Sequence, residues 1–180
     1  MSIEELIDGL IKREGGFVDH PDDKGGATTF GVTEAVARAN GYSGPMAEMP
    51  VSTAREIYRQ QYYLKPGFGR VALLSYPVAE ELTDTGVNMG VDYAVRCLQR
   101  CLNVFNRQQK IYPDMLIDGK VGQTTLEALE AFLKARGKEG ESVLVKALNC
   151  IQGARYVELA ERREANESFV YGWLKERVSL

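Results

Sequence analysis

A capped amphipathic helix that ends on a carboxylate and two glycines constrains this chain more than any other stretch. Ser2 and Glu5 have the spacing of a capping box. Ile3, Leu6, Ile7, Leu10 and Ile11 follow at helical spacing and form one apolar face. Glu14 continues that face, and Gly15-Gly16 stop the helix as glycines beyond a C-cap do. Partial burial and the negative end of the helix dipole would both favour a protonated carboxyl group there. A carboxyl group kept neutral is what general-acid chemistry requires. The bland alternative is a terminal glutamate that bends out to water.

A short loop follows, with His20-Pro21-Asp22-Asp23, Gly25-Gly26, Thr28-Thr29 and Gly31. Thr28, Thr29, Phe30 and Val32 favour extended backbone, so a short hairpin is expected between Phe17 and Val32. Asp19, Asp22 and Asp23 do not have the spacing of a calcium-binding helical hand.

The remainder reads as helices punctuated by glycine and proline. Thr33 caps a short helix that ends near Asn40-Gly41. Thr53 and Glu56 have capping-box spacing for a helix through Tyr63, which Pro66-Gly67 terminates. Tyr58 and Tyr62 share a face of that helix. They are either core aromatics or platforms for a sugar ring. Pro77 begins a helix that runs into Asp84-Thr85-Gly86-Val87-Asn88-Met89-Gly90, where Asn88 either caps the next helix or binds a ligand. Helical spacing returns from Tyr93 to Arg107. Asp118-Gly119 favours a tight turn with positive φ, and Thr124 with Glu127 resembles a capping box. Leu126, Leu129, Phe132 and Leu133 form a helix stopped by Gly137, and the charged stretch 136–141 is expected to be a loop. Ser142 then opens a long helix. Trp173 either stacks on a ligand or pins the last helix.

Composition removes several classes of function. Hydrophobic residues make up 44% of the 180, enough for a real core. The net charge is −3 without a basic run, so nucleic acid is not an expected partner. The single histidine and three cysteines do not form a zinc pattern, and Cys97 and Cys101, four apart on one helix, are placed for burial as free thiols rather than for a disulfide. No phosphate loop or nucleophile elbow is present. No metal or cofactor is expected. Charges at Glu4, Glu5, Asp8, Lys12 and Arg13 interrupt any apolar leader, and no stretch is long enough to span a bilayer. Synthesis in the cytoplasm without stable membrane association is therefore expected.

Several of these motifs belong together. Glu14-Gly15-Gly16-Phe17-Val18, Pro21-Asp22-Asp23, Gly25-Gly26-Ala27-Thr28 and Gly31-Val32-Thr33 resemble the signature of the glycoside hydrolase family 108 N-acetylmuramidases, phage-type endolysins and secretion-associated muramidases of the lysozyme superfamily. Lys24 departs from the proline usual before the paired glycines. The stretch Asp84–Gly90 is similar to that family's second motif, and Phe169, Gly172-Trp173 and Arg177 to its ending. Asp118-Gly119, Gly122 and Thr125, after Leu98-Gln99 and Leu102, resemble peptidoglycan-binding repeats of wall hydrolases. The spacing of Glu14, Asp23 and Thr29 also matches phage lysozymes.

The resemblance implies an almost all-α, lysozyme-like fold of seven or eight helices with a small β or irregular element. Residues 1–90 would be catalytic and 91–180 peptidoglycan-binding, packed as one body; a monomer is expected. It implies hydrolysis of the β-1,4 bond between N-acetylmuramic acid and N-acetylglucosamine. Glu14 would be the acid, with Asp23 and Thr28 or Thr29 holding water or steadying an oxocarbenium-like charge. Asp22, Tyr58, Tyr62, Asn88 and Trp173 would contact the glycan. A holin or secretion route would release the protein to the wall. A lytic transglycosylase using the same glutamate and a non-catalytic wall-binding adaptor are the alternatives; an amidase lacks the metal ligands or Cys-His pair it needs.

Overall fold

The structure is a computed structural model that describes residues 2–18 and 27–178; His20, Asp22 and Asp23 lie outside the described residues. Helix α1 (Ile3–Glu14) starts as the capping box requires. The Ser2 hydroxyl accepts from the Glu5 amide at 3.2 Å, and the Glu5 carboxylate accepts from the Ser2 amide at 2.6 Å. Ile3, Ile7, Leu10 and Ile11 are buried. Gly15, at φ +78°, turns the chain away and returns its N–H to the Ile11 carbonyl.

Strands β1 (Phe17–Val18), β2 (Thr28–Thr29) and β3 (Val32–Thr33) form a small antiparallel sheet in that order. Thr28 faces Val18 and Thr33 in register, and Thr29 faces Phe17 and Val32. Two residues, Phe30 (φ +53°) and Gly31 (φ +74°), join β2 to β3. Positive φ at both positions marks the tight hairpin turn whose twist matches the strands. Phenylalanine is unusual there, and a bulky residue in the left-handed region stores roughly 1–3 kcal/mol of strain.

Thr33 caps α2 (Glu34–Ala39), its hydroxyl accepting from the Val36 amide at 3.3 Å. A short 3-10 turn (Met46–Glu48) leads to α3 (Val51–Arg59). This helix starts at Val51 with Pro50 at its N-cap, ahead of the Thr53–Glu56 pair. Glu56 instead accepts from Gln60 at 2.8 Å. The helix continues as a π turn, Gln60–Leu64. Asp8 and Arg55 join α1 to α3 by an exposed ion pair at 2.7 Å, worth little at the surface.

The chain divides into two compact units, Met1–Lys65 and Pro66–Leu180. The second unit therefore takes in the Asp84–Gly90 motif. It comprises α4 (Phe68–Ala72), α5 (Tyr76–Met89), α6 (Val91–Phe105), α7 (Gln123–Arg162) and α8 (Glu167–Arg177). Helix α5 packs on α4, α6 and α7, and Phe68, Val78, Leu82, Leu98, Leu102, Leu129, Phe132 and Leu144 fill the core. Ser75 rather than Pro77 caps α5, with its hydroxyl accepting from the Val78 amide. Among the described residues there are eight α-helices and one small sheet, the expected all-α class.

Two expected breaks differ. Gly137, at φ +61°, does interrupt α7, but the helix resumes at once, so 136–141 is not a loop. Glu141 is held by Ser75 at 2.7 Å and Lys138 at 2.8 Å, which gives that stretch its helical anchor. Thr124 does not cap α7; Gly122 stands at its N-cap. The Asp118–Thr125 motif is instead a turn built on α6. The Gln99 side chain is buried and donates to Asp118 Oδ1 (2.8 Å), the Lys120 carbonyl (3.1 Å) and Thr125 Oγ1 (3.2 Å), while its oxygen accepts from the Gly119 amide at 3.0 Å. A Cβ at Gly119 would run into the Asp92 carboxylate. Cys97 and Cys101 are buried as expected, but Cys150 is exposed; all three are free.

A polar cluster crosses α5, α7 and α8. Asp84 meets Arg177 at 3.2 Å and Gln152 at 2.7 Å, and Glu81 accepts from Asn149 at 2.6 Å and Thr85 at 3.3 Å. Burial first, then the Asp84 charge, pushes the Glu81 carboxyl up to about 7, against the pull of Asn149 and Thr85. A carboxyl group raised on folding favours the native state at low pH and loses that contribution as pH rises from its ordinary value through 7, by roughly 3 kcal/mol. Melting temperature measured from pH 5 to pH 8 should therefore fall more steeply for the wild type than for Glu81→Gln. Parallel curves would remove Glu81 as the cause.

Candidate active site

The end of α1, the β2–β3 turn and α3 meet around Gly31. A Cβ built at Gly31 would lie 2.7 Å from Glu14 Cγ, 2.9 Å from Glu14 Cβ and 2.6 Å from the Tyr58 hydroxyl oxygen. Only glycine can both adopt the positive φ and admit these two side chains. The Tyr58 hydroxyl donates to the Phe30 carbonyl at 2.7 Å. That bond ties α3 to the strained turn residue and fixes the position of the stem of Glu14 against Gly31.

Glu14 itself is exposed, which corrects the expectation of partial burial. The helix projects its last turn beyond the residues that cover Leu10 and Ile11. The stem of Glu14 lies beside Gly31. Its charge still reaches Tyr58. Burial first, then Glu14, then Tyr62 push the Tyr58 hydroxyl up to about 12. Tyr58 therefore remains a neutral donor throughout the useful pH range.

The sequence-selected residues fall into different settings. Thr29 is 2% exposed and donates to the Met46 carbonyl at 2.6 Å, so its hydroxyl is committed to the core. Thr28, on the other face of β2, is half-buried and its hydroxyl reaches the Val18 carbonyl at a long 3.4 Å. Tyr58 is buried and Tyr62 half-buried, their rings 5.9 Å apart, with Tyr62 carried on the π turn. Glu14, Thr28, Thr29, Tyr58 and Tyr62 all belong to the first unit. Asp22 and Asp23 lie outside the described residues.

Asn88 and Trp173 belong to the second unit. Asn88 does not cap α6; it lies within α5 and donates to the Asp84 carbonyl at 2.7 Å. Trp173 is half-buried against Tyr156 (5.3 Å) and Phe169 (6.1 Å), a setting that pins α8 to α7. Among the described residues no group of three or more His, Cys, Asp or Glu could hold a metal. The Phe30–Gly31 turn was missed by sequence reasoning. Gly31 was visible, but phenylalanine does not advertise a left-handed turn.

A helical unit with a carboxylate at the end of its first helix, beside a small antiparallel sheet, is a lysozyme-like arrangement. The glycosyl hydrolase 108 family model matches residues 7–90, and the model of a "predicted peptidoglycan domain" matches residues 93–178. The first half of the chain thus carries the glycosyl hydrolase 108 match, which makes it a glycoside hydrolase of the N-acetylmuramidase type, and the peptidoglycan-domain match follows. Peptidoglycan is its substrate class. It is also similar to a solved structure described as that of Brucella abortus SagA, with 22% identity and a TM-score of 0.53 over 96% of this chain and 95% of that one. At that identity the likeness speaks for the fold. No curated protein matches the chain.

Gly31→Ala forces a methyl group into Glu14 and Tyr58 at a φ that alanine avoids. It should lower stability by about 1–3 kcal/mol and wall-lytic activity by roughly a hundredfold through displacement of Glu14. Denaturant unfolding and turbidity assays on purified sacculi would read both effects. Wild-type lysis by Gly31→Ala would show that the Glu14–Gly31 contact does not set the site.

Proposed function

We propose that the chain hydrolyses the β-1,4 bond between N-acetylmuramic acid and N-acetylglucosamine, with Glu14 as general acid. The observation that carries this reading is the packing of the Glu14 stem against Gly31 and Tyr58. It holds one carboxyl group in a fixed position at the mouth of the hairpin. Glu14 gives its proton to the glycosidic oxygen as the bond to the anomeric carbon breaks. The bound glycan covers the exposed side chain and displaces water from it. Thr28 is the better placed threonine for the water or the oxocarbenium-like charge, because the Thr29 hydroxyl is already bonded to Met46. Asp23 is the second carboxylate in this reading, by its resemblance to the family motif. The protein acts on the wall after leaving the cytoplasm.

Glu14→Gln keeps the shape of the side chain and removes the proton. It should lower the rate of reducing-end release from purified sacculi by at least about 10³-fold with an unchanged melting temperature. Mass spectrometry of the released muropeptides should find free N-acetylmuramic acid reducing ends. Products carrying a 1,6-anhydro ring would make the enzyme a lytic transglycosylase, and lysis by Glu14→Gln at the wild-type rate would end the acid assignment.

A further inference from the structure

A second concavity in the first unit shares no residue with the Glu14 junction. It is an open groove of about 590 Å³ between the Asn40–Tyr42 turn and α3, within the roughly 300–1,000 Å³ typical of small-molecule sites. Thr53, Glu56 and Ile57 line it from α3, and Gln60 from the start of the π turn that continues it. Their spacing puts them on one face of the helix, while Ala54 and Tyr58 lie on another. Ile57 is buried and makes an apolar floor.

The opposite wall is held in place before any ligand arrives. Arg38 donates to the Tyr42 carbonyl at 2.9 Å and the Gly44 carbonyl at 2.7 Å, and its guanidinium lies 5.9 Å from the Tyr42 ring centroid. The Tyr42 hydroxyl donates to the Pro45 carbonyl at 2.8 Å. A Cβ at Gly44 would lie 2.7 Å from that hydroxyl oxygen and 2.9 Å from the ring. The glycine therefore makes room for the tyrosine. Three separate contacts thus fix an aromatic ring at the edge of a polar groove.

The chemistry of the lining selects the ligand. Glu56 is its one charged residue, and Asn40, Ser52, Thr53 and Gln60 supply neutral polar groups. One Glu56 oxygen accepts from Gln60; the other has no partner among the described residues. A carboxylate with an open oxygen disfavours an anionic ligand and accepts from hydroxyl or amide N–H groups. A tyrosine ring beside such acceptors suits the apolar face of a pyranose.

We infer that this groove is a saccharide-binding site, separate from the Glu14 junction, that takes an uncharged N-acetylated amino sugar of the glycan strand. It would hold the strand away from the bond being cut. The choice of sugar rests on the peptidoglycan reading above, but the groove's geometry does not.

The test is an NMR titration of the full-length Glu14→Gln protein with tri-N-acetylchitotriose, and separately with a free stem tetrapeptide. The saccharide should shift the backbone amides of residues 40–42 and 52–60 saturably. Glu56→Ala, an exposed substitution, and Tyr42→Ala should each weaken this binding by about tenfold, the loss of one charge-assisted hydrogen bond or one stacking contact. Glu56→Ala should leave the melting temperature unchanged, so its arm stands even if Tyr42→Ala loosens the turn. Saccharide shifts absent from both segments, shifts produced by the tetrapeptide alone, or wild-type affinity in Glu56→Ala would each overturn the inference. The Glu14 assignment is judged independently, by hydrolysis: an inactive Glu14→Gln with an unresponsive groove would sink this proposal alone.

Discussion

The first unit depends on a missing side chain. Gly31 lets the end of one helix, the tip of a two-residue hairpin and a tyrosine from a second helix approach within van der Waals distance. Each of the three would otherwise be free to move. A helix terminus frays, a two-stranded ribbon is marginal in water, and a tyrosine hydroxyl seeks any acceptor. Here the Tyr58 hydroxyl takes the carbonyl of Phe30, a non-glycine residue in the left-handed region. Burial of Tyr58 on α3 supplies the energy that holds the turn in that conformation. Precision at Glu14 is thus a product of core packing several residues away.

The second unit uses its family motifs differently. Asn88 and Trp173 look like ligand contacts in the sequence, yet both, like the motif residues Asp84 and Arg177, are engaged inside the protein. Asp84 and Arg177 are both largely buried and bonded to one another, and Asn88 bonds to the helix turn before it. Removing one partner from such a pair leaves a buried charge unpaired and would cost several kcal/mol. That penalty is reason enough for the two motifs to occur together. The Asp118–Thr125 turn obeys the same logic, since one glutamine from α6 satisfies four of its polar groups.

Much of this was legible in the residues. Helix α1 could be read because period, capping box and terminal glycine agree, and all three are local. The caps of α2 and the glycine turn at Gly119 were local as well. The burial of Glu14 was not legible. The helical face extrapolates smoothly from Leu10 to Glu14, but α1 packs on α3 and its buried face stops at Ile11. The choice between Thr28 and Thr29 needed the strand's facing, which a two-residue strand does not encode. The start of α3 was misjudged because a proline entrance and a capping box compete within three residues. The stretch 136–141 was charged and glycine-bearing, yet Ser75, more than sixty residues away, holds it helical.

The exposure of Glu14 weakens one argument for an acid and strengthens another. An acid must be free to transfer its proton, and the alternatives at the Gly31 junction are not. The Tyr58 proton is bonded to the Phe30 carbonyl, and its hydroxyl is held far above the working range by burial and by the Glu14 charge itself. The Thr29 hydroxyl is bonded to Met46 in the core. Glu14 is exposed, and its stem lies beside Gly31. A protein that buried this group would have to open before a polymer could reach it. In the proposed reading, a strand as wide as peptidoglycan is better served by an accessible carboxyl group that the substrate itself desolvates. On this argument the helix end supplies position, and the glycan supplies the dry environment.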